Sequence, residues 1–460
     1  MGATDMAVSW ILDTRLEDMP PETRQASRDA SFDGIGCMLA GAVQPHGRMI
    51  VEYVQRLGGP REAAVVGSNV RTSAAQAALA NGTLGHALDY DDHGQVSHAA
   101  AILMGALLPL GERLGASGKQ VVEADVIGRE LGHALSQEYD NTGGFHRMAV
   151  FGRIAAVAAA AKLLQLDARQ TTMALGIVGT MASGVNHSHG SMSKPLHGGL
   201  AARDGIMAAE MAAMGWTAGD RTLEHPDGFL AAFCGLDINP NGRLKDLGRP
   251  FKTHELVGIK KYPCGAGNHP QIDGLLSLMQ AHGFTGEDVE EVEIVQSYDS
   301  HYIAVRQPRN GLEGKFSAMF TAAATLVDGR VDIETFTDEY VKDPRIVAMM
   351  ERVRLYVLDK WEVGLDRAER KWPSGSTGNT GRGVTVRLKV GRVLQTAIRP
   401  PDVLGNAKNP WGWDNIRAKF EANASLALPE DQVREAVRTW SDIEGIGSVR
   451  DAVACLVPRA

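Results

Sequence analysis

The sequence predicts a mainly α protein with a smaller α+β domain, and three observations lead there. Helical texture broken by short Gly or Asp interruptions runs to about Tyr262. Alternating Val, Ile and Leu then replace it, and helical texture returns from about Trp413. The expected boundaries are 1–262 for a large helical domain, joined by the C-terminal tail 403–460, and 263–402 for the smaller α+β domain.

In chain order, helices are expected over 21–42, 73–87, 98–114, 118–137, 150–164, 168–182 and 196–214. Ala and Gly dominate their faces. The run 154–164 (IAAVAAAAKLL) carries small residues on every side, which marks a helix buried among close neighbours. Beyond Tyr262, 289–296, 353–358 and 383–398 read as strands, with Val384, Val386, Leu388 and Val390 alternating against Thr385, Arg387 and Lys389. The break at Val390, Gly391 and Arg392 suits a hairpin. Helices over 270–283 and 315–327 would cover one face of the sheet. The tail is expected to form helices over 414–424 and 429–443. The Gly-rich stretch 375–383 (GSTGNTGRG) reads as a loop between strands; the preceding strand and following helix of a phosphate cradle are missing.

Composition narrows the function. A chain of 460 residues accommodates two to three domains at about 150 residues each. The 44% apolar and 22% charged content is that of a folded protein. Lys plus Arg number 47 against 55 Asp plus Glu, a net charge of −8 with no basic run, which argues against nucleic acid. Cys37, Cys234, Cys264 and Cys455 form no CxxC pair, which points to a reducing compartment and away from structural zinc. Asp5 and Asp13 interrupt any export signal at the start. The longest uncharged stretches, 94–111 and 170–193, hold Gln95, His98, Pro109, Asn186 and His187, so neither is expected to span a membrane. A cytoplasmic location is expected.

Three polar clusters could carry chemistry. The first holds His86, Asp89, Asp91, Asp92, His93 and His98; were 89–93 helical, Asp89 and His93 would share a face. A capped, solvated helix end, a metal site and an acid/base or substrate-binding cluster all fit these residues. The second runs from His187 through Lys194 and His197 into an Ala-rich helix expected near Leu196, with Pro195 as its first residue. Lys194 there faces the positive end of the helix dipole and has no evident structural partner, so an anion is its natural companion. The third, Lys260, Lys261, Tyr262, Pro263, Cys264 and onward to His269, lies at the expected domain junction, where clefts form. His146 stands at the head of a helix beside Gly143 and Gly144; His133, His225, His254 and His282 read as ordinary core or surface histidines.

The runs DGIGCMLAGA (33–42), NGTLGHALDYDD (81–92), GGFH before an Ala-rich helix, SMSKPLHGGLAARDGIMAAEMA (191–212), KKYPCGAGNHPQIDG and GKFSAMFTAAATLVDG (314–329) resemble, in order and spacing, the MmgE/PrpD family. That family includes 2-methylcitrate dehydratase, cis-aconitate decarboxylase and iminodisuccinate epimerase. The resemblance runs nearly end to end. It implies a helical domain with a lid-like α+β domain, usually a homodimer, an active site in the cleft, and no metal or organic cofactor.

Carried across position by position, the resemblance implies catalytic roles for Asp89, His98, His146 and Lys194. His93, His197, Lys261 and His269 are the expected substrate-binding residues. Two positions depart from the family pattern: His93 replaces the usual threonine, and His98 is followed by Ala99 and Ala100 rather than Pro-Ser. A histidine of decarboxylase-like members is Gly265 here, and 263–269 is closer to the epimerase-like pattern. The implied chemistry is removal of a proton α to a carboxylate of a di- or tricarboxylate, then loss of a β-group or reprotonation. Dehydration and epimerisation stand ahead of decarboxylation. A metal-dependent hydrolase built on Asp89, His93 and His98, and a non-catalytic family member, are the alternatives.

Overall fold

The structure is a computed structural model that describes residues 1–94, 96–137, 144–235, 242, 244–296, 302–357 and 383–459. The chain divides into two compact units: Met1–His187 with Ser193–Ile259 and Trp411–Ala460, and Ser188–Met192 with Lys260–Pro410.

The first unit is helical. Its longer helices before residue 214 are α1 (Ala3–Asp13), α2 (Pro21–Ala42), α3 (Pro45–Leu57), α4 (Ala74–His86), α5 (Ala99–Leu114), α6 (Gly118–Ser136), α7 (Arg147–Leu163), α8 (Ala168–Met181) and α9 (Ser193–Ala213). Local signals set the ends. Pro21 and Pro45 open α2 and α3 at positions whose N–H has no helical partner. Capping boxes formed by Ser117 with Gln120 and by Asp167 with Gln170 start α6 and α8.

Small residues set the helix spacing. A Cβ on Gly199 of α9 would stand 2.1 Å from the Leu79 carbonyl oxygen of α4, and one on Gly198 would stand 2.9 Å from the Gly82 carbonyl oxygen. Backbone meets backbone there, so α9 lies against α4 more closely than any side chain would permit. Throughout α7, Ala155, Ala156, Ala158, Ala159 and Ala160 are fully buried, as the unbroken run of small residues predicts. The C-terminal helices Trp413–Ala424 and Glu430–Trp440 belong to this unit. Phe420 of the first stacks on Phe32 of α2 with ring centroids 4.1 Å apart.

The second unit carries a four-stranded sheet of β1 (Val289–Gln296), β2 (Val353–Val357), β3 (Gly383–Leu388) and β4 (Val393–Thr396), in the order β2-β1-β3-β4. β1 pairs parallel with β2, Val292 opposite Val353, and antiparallel with β3, Val292 opposite Val386. β3 and β4 form the expected hairpin, with Gly391 at φ 82° in its turn. Helices α10 (His269–His282) and α11 (Ala318–Asp328) pack with the sheet around Ile272, Leu275, Phe320, Val292, Ile294, Val384 and Val386. α11 begins three residues later than expected because the Ser317 hydroxyl caps it, accepting from the Phe320 N–H at 3.2 Å. Of the Gly-rich stretch 375–383, only Gly383 lies within the described residues. Among the described residues, no helix is long and apolar enough to cross a membrane.

Candidate active site

Within the first unit, one helix C-terminus and the heads of three helices supply the clustered side chains. His86 is the last residue of α4, His98 is the N-cap of α5, His146 is the N-cap of α7, and Lys194 lies in the first turn of α9. The helix-forming stretch begins at Ser193, so Pro195 is its third residue rather than its first. All four side chains are buried: His86 is 1% exposed, Lys194 4%, His98 6% and His146 6%. The heads of α5, α7 and α9 each present a positive dipole end, a setting that favours an anion.

Residues 89–93 are not helical, so the condition under which Asp89 and His93 would share a helix face is not met. Asp89 (φ 53°) and His98 (φ 61°) both adopt left-handed backbone conformations, which non-glycine residues hold only when the surroundings enforce them. This turn directs Asp89 to Lys194: Nζ donates to Asp89 Oδ1 at 2.7 Å and approaches His86 Nε2 at 2.5 Å. Lys194 thus has structural partners, contrary to the sequence expectation. The His93 backbone is bridged to Gly258, its N–H donating to the Gly258 carbonyl at 2.8 Å with a reciprocal bond returning.

Asp91 accepts from His86 Nδ1 at 2.9 Å, and His98 Nδ1 lies 3.2 Å from the same carboxylate oxygen. His98 Nε2 is 3.6 Å from Asp89 Oδ1. Burial opposes ionisation of Asp91, but the His98 and His86 rings outweigh it and hold the carboxyl below the ordinary carboxylate range. Burial first, and then the Lys194 charge, lower the basicity of His86, which favours a neutral ring. With Asp91 an acceptor only, the proton of that ring sits on Nδ1, and Nε2 accepts from Lys194.

The second histidine pair lies on α7 and α9. His146 Nδ1 and His197 Nδ1 are 2.9 Å apart, so one donates and the other accepts. The basicity of His197 is pushed down to about 4 by burial first, then by Lys194, His86 and Arg153. A neutral His197 carries one ring proton, so the shared bond places that proton on either Nδ1, and the tautomer of one ring fixes that of the other. Arg153, buried and donating to Asp204 at 2.8 Å, ties α7 to α9 beneath the pair.

Lys261 and His269, the other expected substrate-binding residues, belong to the second unit. Lys261 pairs with Asp273 at 2.9 Å, and the His269 ring stands edge-on to Tyr262 with centroids 5.2 Å apart. At Gly265, a Cβ would stand 3.0 Å from Ile303, 3.1 Å from Tyr302 and 3.3 Å from Phe316. A side chain at 265 would therefore press on Ile303, Tyr302 and Phe316, which would have to give by a few tenths of an ångström.

The metal set Asp89, His93 and His98 is not assembled. Among the described residues, the group that comes together is His86, Asp91 and His98, whose ligand atoms lie within 4.8 Å of one another. His86 Nδ1 stands 2.9 Å from Asp91, a hydrogen-bond length, whereas His98 Nδ1 at 3.2 Å is near the spread of about 3.3 Å between ligands of a tetrahedral ion at ~2.05 Å. A metal there would have to displace the proton that His86 Nδ1 donates to Asp91. His86 and Asp91 were legible as members of the polar run but not as its centre, because their roles depend on the left-handed turn at Asp89.

A buried lysine held by a carboxylate and an imidazole, with histidines at neighbouring helix heads, is an arrangement chemically capable of acid/base work on an anion. Comparison with known proteins identifies the family. The MmgE/PrpD N-terminal domain matches residues 6–240 and the MmgE/PrpD C-terminal domain matches residues 262–442. The chain belongs to the MmgE/PrpD family. It is 26% identical to a cis-aconitate decarboxylase-like protein of Aspergillus oryzae, covering 97% of this chain and 96% of the relative. It is 24% identical to cis-aconitate decarboxylase of Aspergillus terreus (94% and 91%) and 22% identical to 2-methylcitrate dehydratase of Salmonella typhimurium (87% and 86%).

Proposed function

We propose that this protein is a lyase or isomerase that removes a proton α to a carboxylate of a di- or tricarboxylate, without metal or organic cofactor. The observation that carries the reading is Lys194, buried in the first turn of α9 and bonded to Asp89 and His86. A carboxylate activates its α-carbon poorly, because deprotonation adds negative charge to an anion. A positioned ammonium beside a helix head meets that charge as it forms, and such a group is worth roughly 100- to 1000-fold in rate.

His146, hydrogen-bonded to His197, suits the general base. His98, close to Asp91 and Asp89, suits the general acid because both carboxylates favour its imidazolium. In dehydration the α C–H pair becomes the new double bond, His146 keeps the proton, and His98 protonates the departing hydroxide as water. In epimerisation His98 instead returns a proton to the opposite face of the carbon. We place the enzyme in the cytoplasm as a homodimer.

Decarboxylation is the second reading, favoured by the names of the relatives at 24–26% identity. In that reaction the C–CO₂ bond breaks and the pair left on carbon takes a proton from an imidazolium. The packed surroundings of Gly265 support ranking it lower.

The test is incubation with a panel of di- and tricarboxylates in D₂O, before and after dialysis against a chelator, with His98→Gln and His146→Gln alongside. In an epimerase each variant blocks exchange from one stereoisomer; in a dehydratase His146→Gln abolishes exchange and His98→Gln chiefly slows water loss. Release of CO₂ selects the second reading. Wild-type rates in both variants on every carboxylate turned over would remove these histidines from the mechanism.

A further inference from the structure

A single carboxylate oxygen, Asp91 Oδ1, faces the Nδ1 atoms of two imidazoles, His86 at 2.9 Å and His98 at 3.2 Å. Their ring centroids are 4.0 Å apart. The carboxylate side chain and the His86 side chain have no exposed surface. Neither residue reaches outward to meet a substrate, yet both lie directly behind groups that would.

We propose that Asp91 is a positioning residue that fixes the protons of both rings on Nδ1, and that His86, locked in this way, presents Nε2 as the acceptor that holds Lys194. The proposal rests on the reading of Lys194 and His98 as parts of an acid/base site. Its chemistry is simple. A carboxylate can only accept, so His86, hydrogen-bonded to it, donates from Nδ1; His98 Nδ1, 3.2 Å away but poorly aligned with the same oxygen, is drawn to the same protonation by the carboxylate charge. His86 Nε2 then has a lone pair at 2.5 Å from the Lys194 ammonium. The opposite tautomer would set an N–H against N–H donors at that distance, and Lys194 would have to leave both His86 and the position it holds beside Asp89. At His98 the same constraint keeps Nε2 as the nitrogen that exchanges protons with a substrate.

Asp91→Asn tests this. The amide keeps one accepting oxygen but replaces the other with a donor, so the side chain can no longer accept freely from both rings. Ring nitrogens are read in ¹⁵N-histidine-labelled protein by long-range ¹H–¹⁵N correlation, with His86→Gln and His98→Gln assigning the signals. The expected wild-type spectrum at neutral pH shows His86 protonated on Nδ1 and bare on Nε2, and His98 protonated on Nδ1. Asp91→Asn is expected to move the proton of one ring to Nε2. It should also lower kcat for α-proton exchange about 100-fold or more, with KM within about threefold, as for other losses of a histidine-orienting carboxylate.

A wild-type His86 protonated on Nε2 overturns the proposal, and so does Asp91→Asn with unchanged tautomers, whatever its kcat. If Asp91→Asn does not fold, the wild-type spectrum alone decides. If the wild-type protein exchanges no carboxylate proton, the acid/base reading fails while the spectrum still decides what Asp91 does.

Discussion

Asp91 and Asp92 are neighbours in sequence, equally buried, and employed in opposite ways. Asp92 accepts from the Ala100 N–H in the first turn of α5 at 2.8 Å and from Arg129 at 2.6 Å. Arg129 also bonds Asp125 at 3.1 Å, and Ser27 donates to the same Asp125 oxygen at 2.6 Å. Burial raises the Asp92 carboxyl above its ordinary range even against the Arg129 charge, whereas the facing imidazoles pull Asp91 below it. The Asp92 network joins α2, α5 and α6 through a permanently charged guanidinium that cannot exchange protons at physiological pH. The Asp91 network joins groups that can. Burial and ion pairing are common to both; what separates a candidate site from a brace is the presence of partners that titrate, together with the left-handed backbone at Asp89 and His98.

Three measurements sharpen or break this contrast. Lys194→Ala should have the largest effect: carboxylate turnover or α-proton exchange falls roughly 100- to 1000-fold. Because the lysine is buried against Asp89 and His86, stability should also fall, by about 3–5 kcal/mol in urea unfolding. A fully active Lys194→Ala would end its assignment to the chemistry.

Arg129→Met should cost a similar about 3–5 kcal/mol, since it strands Asp92 and Asp125 without a counter-charge. Here kcat per folded molecule is expected to stay within a few-fold of wild type. A kcat loss matching that of Lys194→Ala would show that the brace and the site are one network.

The smallest effect concerns His133, which accepts from the Val96 N–H at 3.1 Å and whose basicity is lowered to about 3 by burial first and then by Arg129. The folded protein leaves this ring neutral while the unfolded chain protonates it near pH 6.5. Its contribution to stability is therefore present above that pH and declines on acidification down to about pH 3. His133→Gln should flatten the slope of stability against pH between 5 and 6.5, by up to about 1.4 kcal/mol per pH unit. An unchanged slope would mean that the ring is not held neutral.

Much of the fold was legible because its signals are local. Proline openings, capping residues and Ala-rich runs place α2 and α4 through α9 within about three residues of expectation, and β-branched alternation places β1 and β3. α3 was not read although Met49, Tyr53 and Leu57 recur at helical spacing, and which face it buries was not legible: that apolar stripe is exposed while His46, Gly47 and Val54 face inward. The parallel pairing of β1 with β2 is a long-range choice that no single segment encodes. The same division holds for the site. The polar runs containing Asp89, His98, His146, Lys194 and His197 stand out in the sequence, and the structure sets these residues together in the first unit. That Lys194 meets Asp89 and His86, more than a hundred positions away, depends on a left-handed turn and a helix contact that spacing along the chain does not disclose.

The glycine contact between α4 and α9 sets a mechanical tolerance. Lys194 is four residues from Gly198 on one short arm of helix, and Gly198 bears on the backbone of Gly82, close to His86 at the end of α4. Side-chain packing can be renegotiated by rotamer changes, but two backbones in contact leave no rotamer to adjust. Gly198 therefore acts as a hard stop for the lysine: a methyl group there would lift the arm by a fraction of an ångström and move the ammonium with it. Displacements near 1 Å at reacting groups can cost about 100-fold in rate. In this molecule the finest adjustment of the charged group is made by the residue with no side chain.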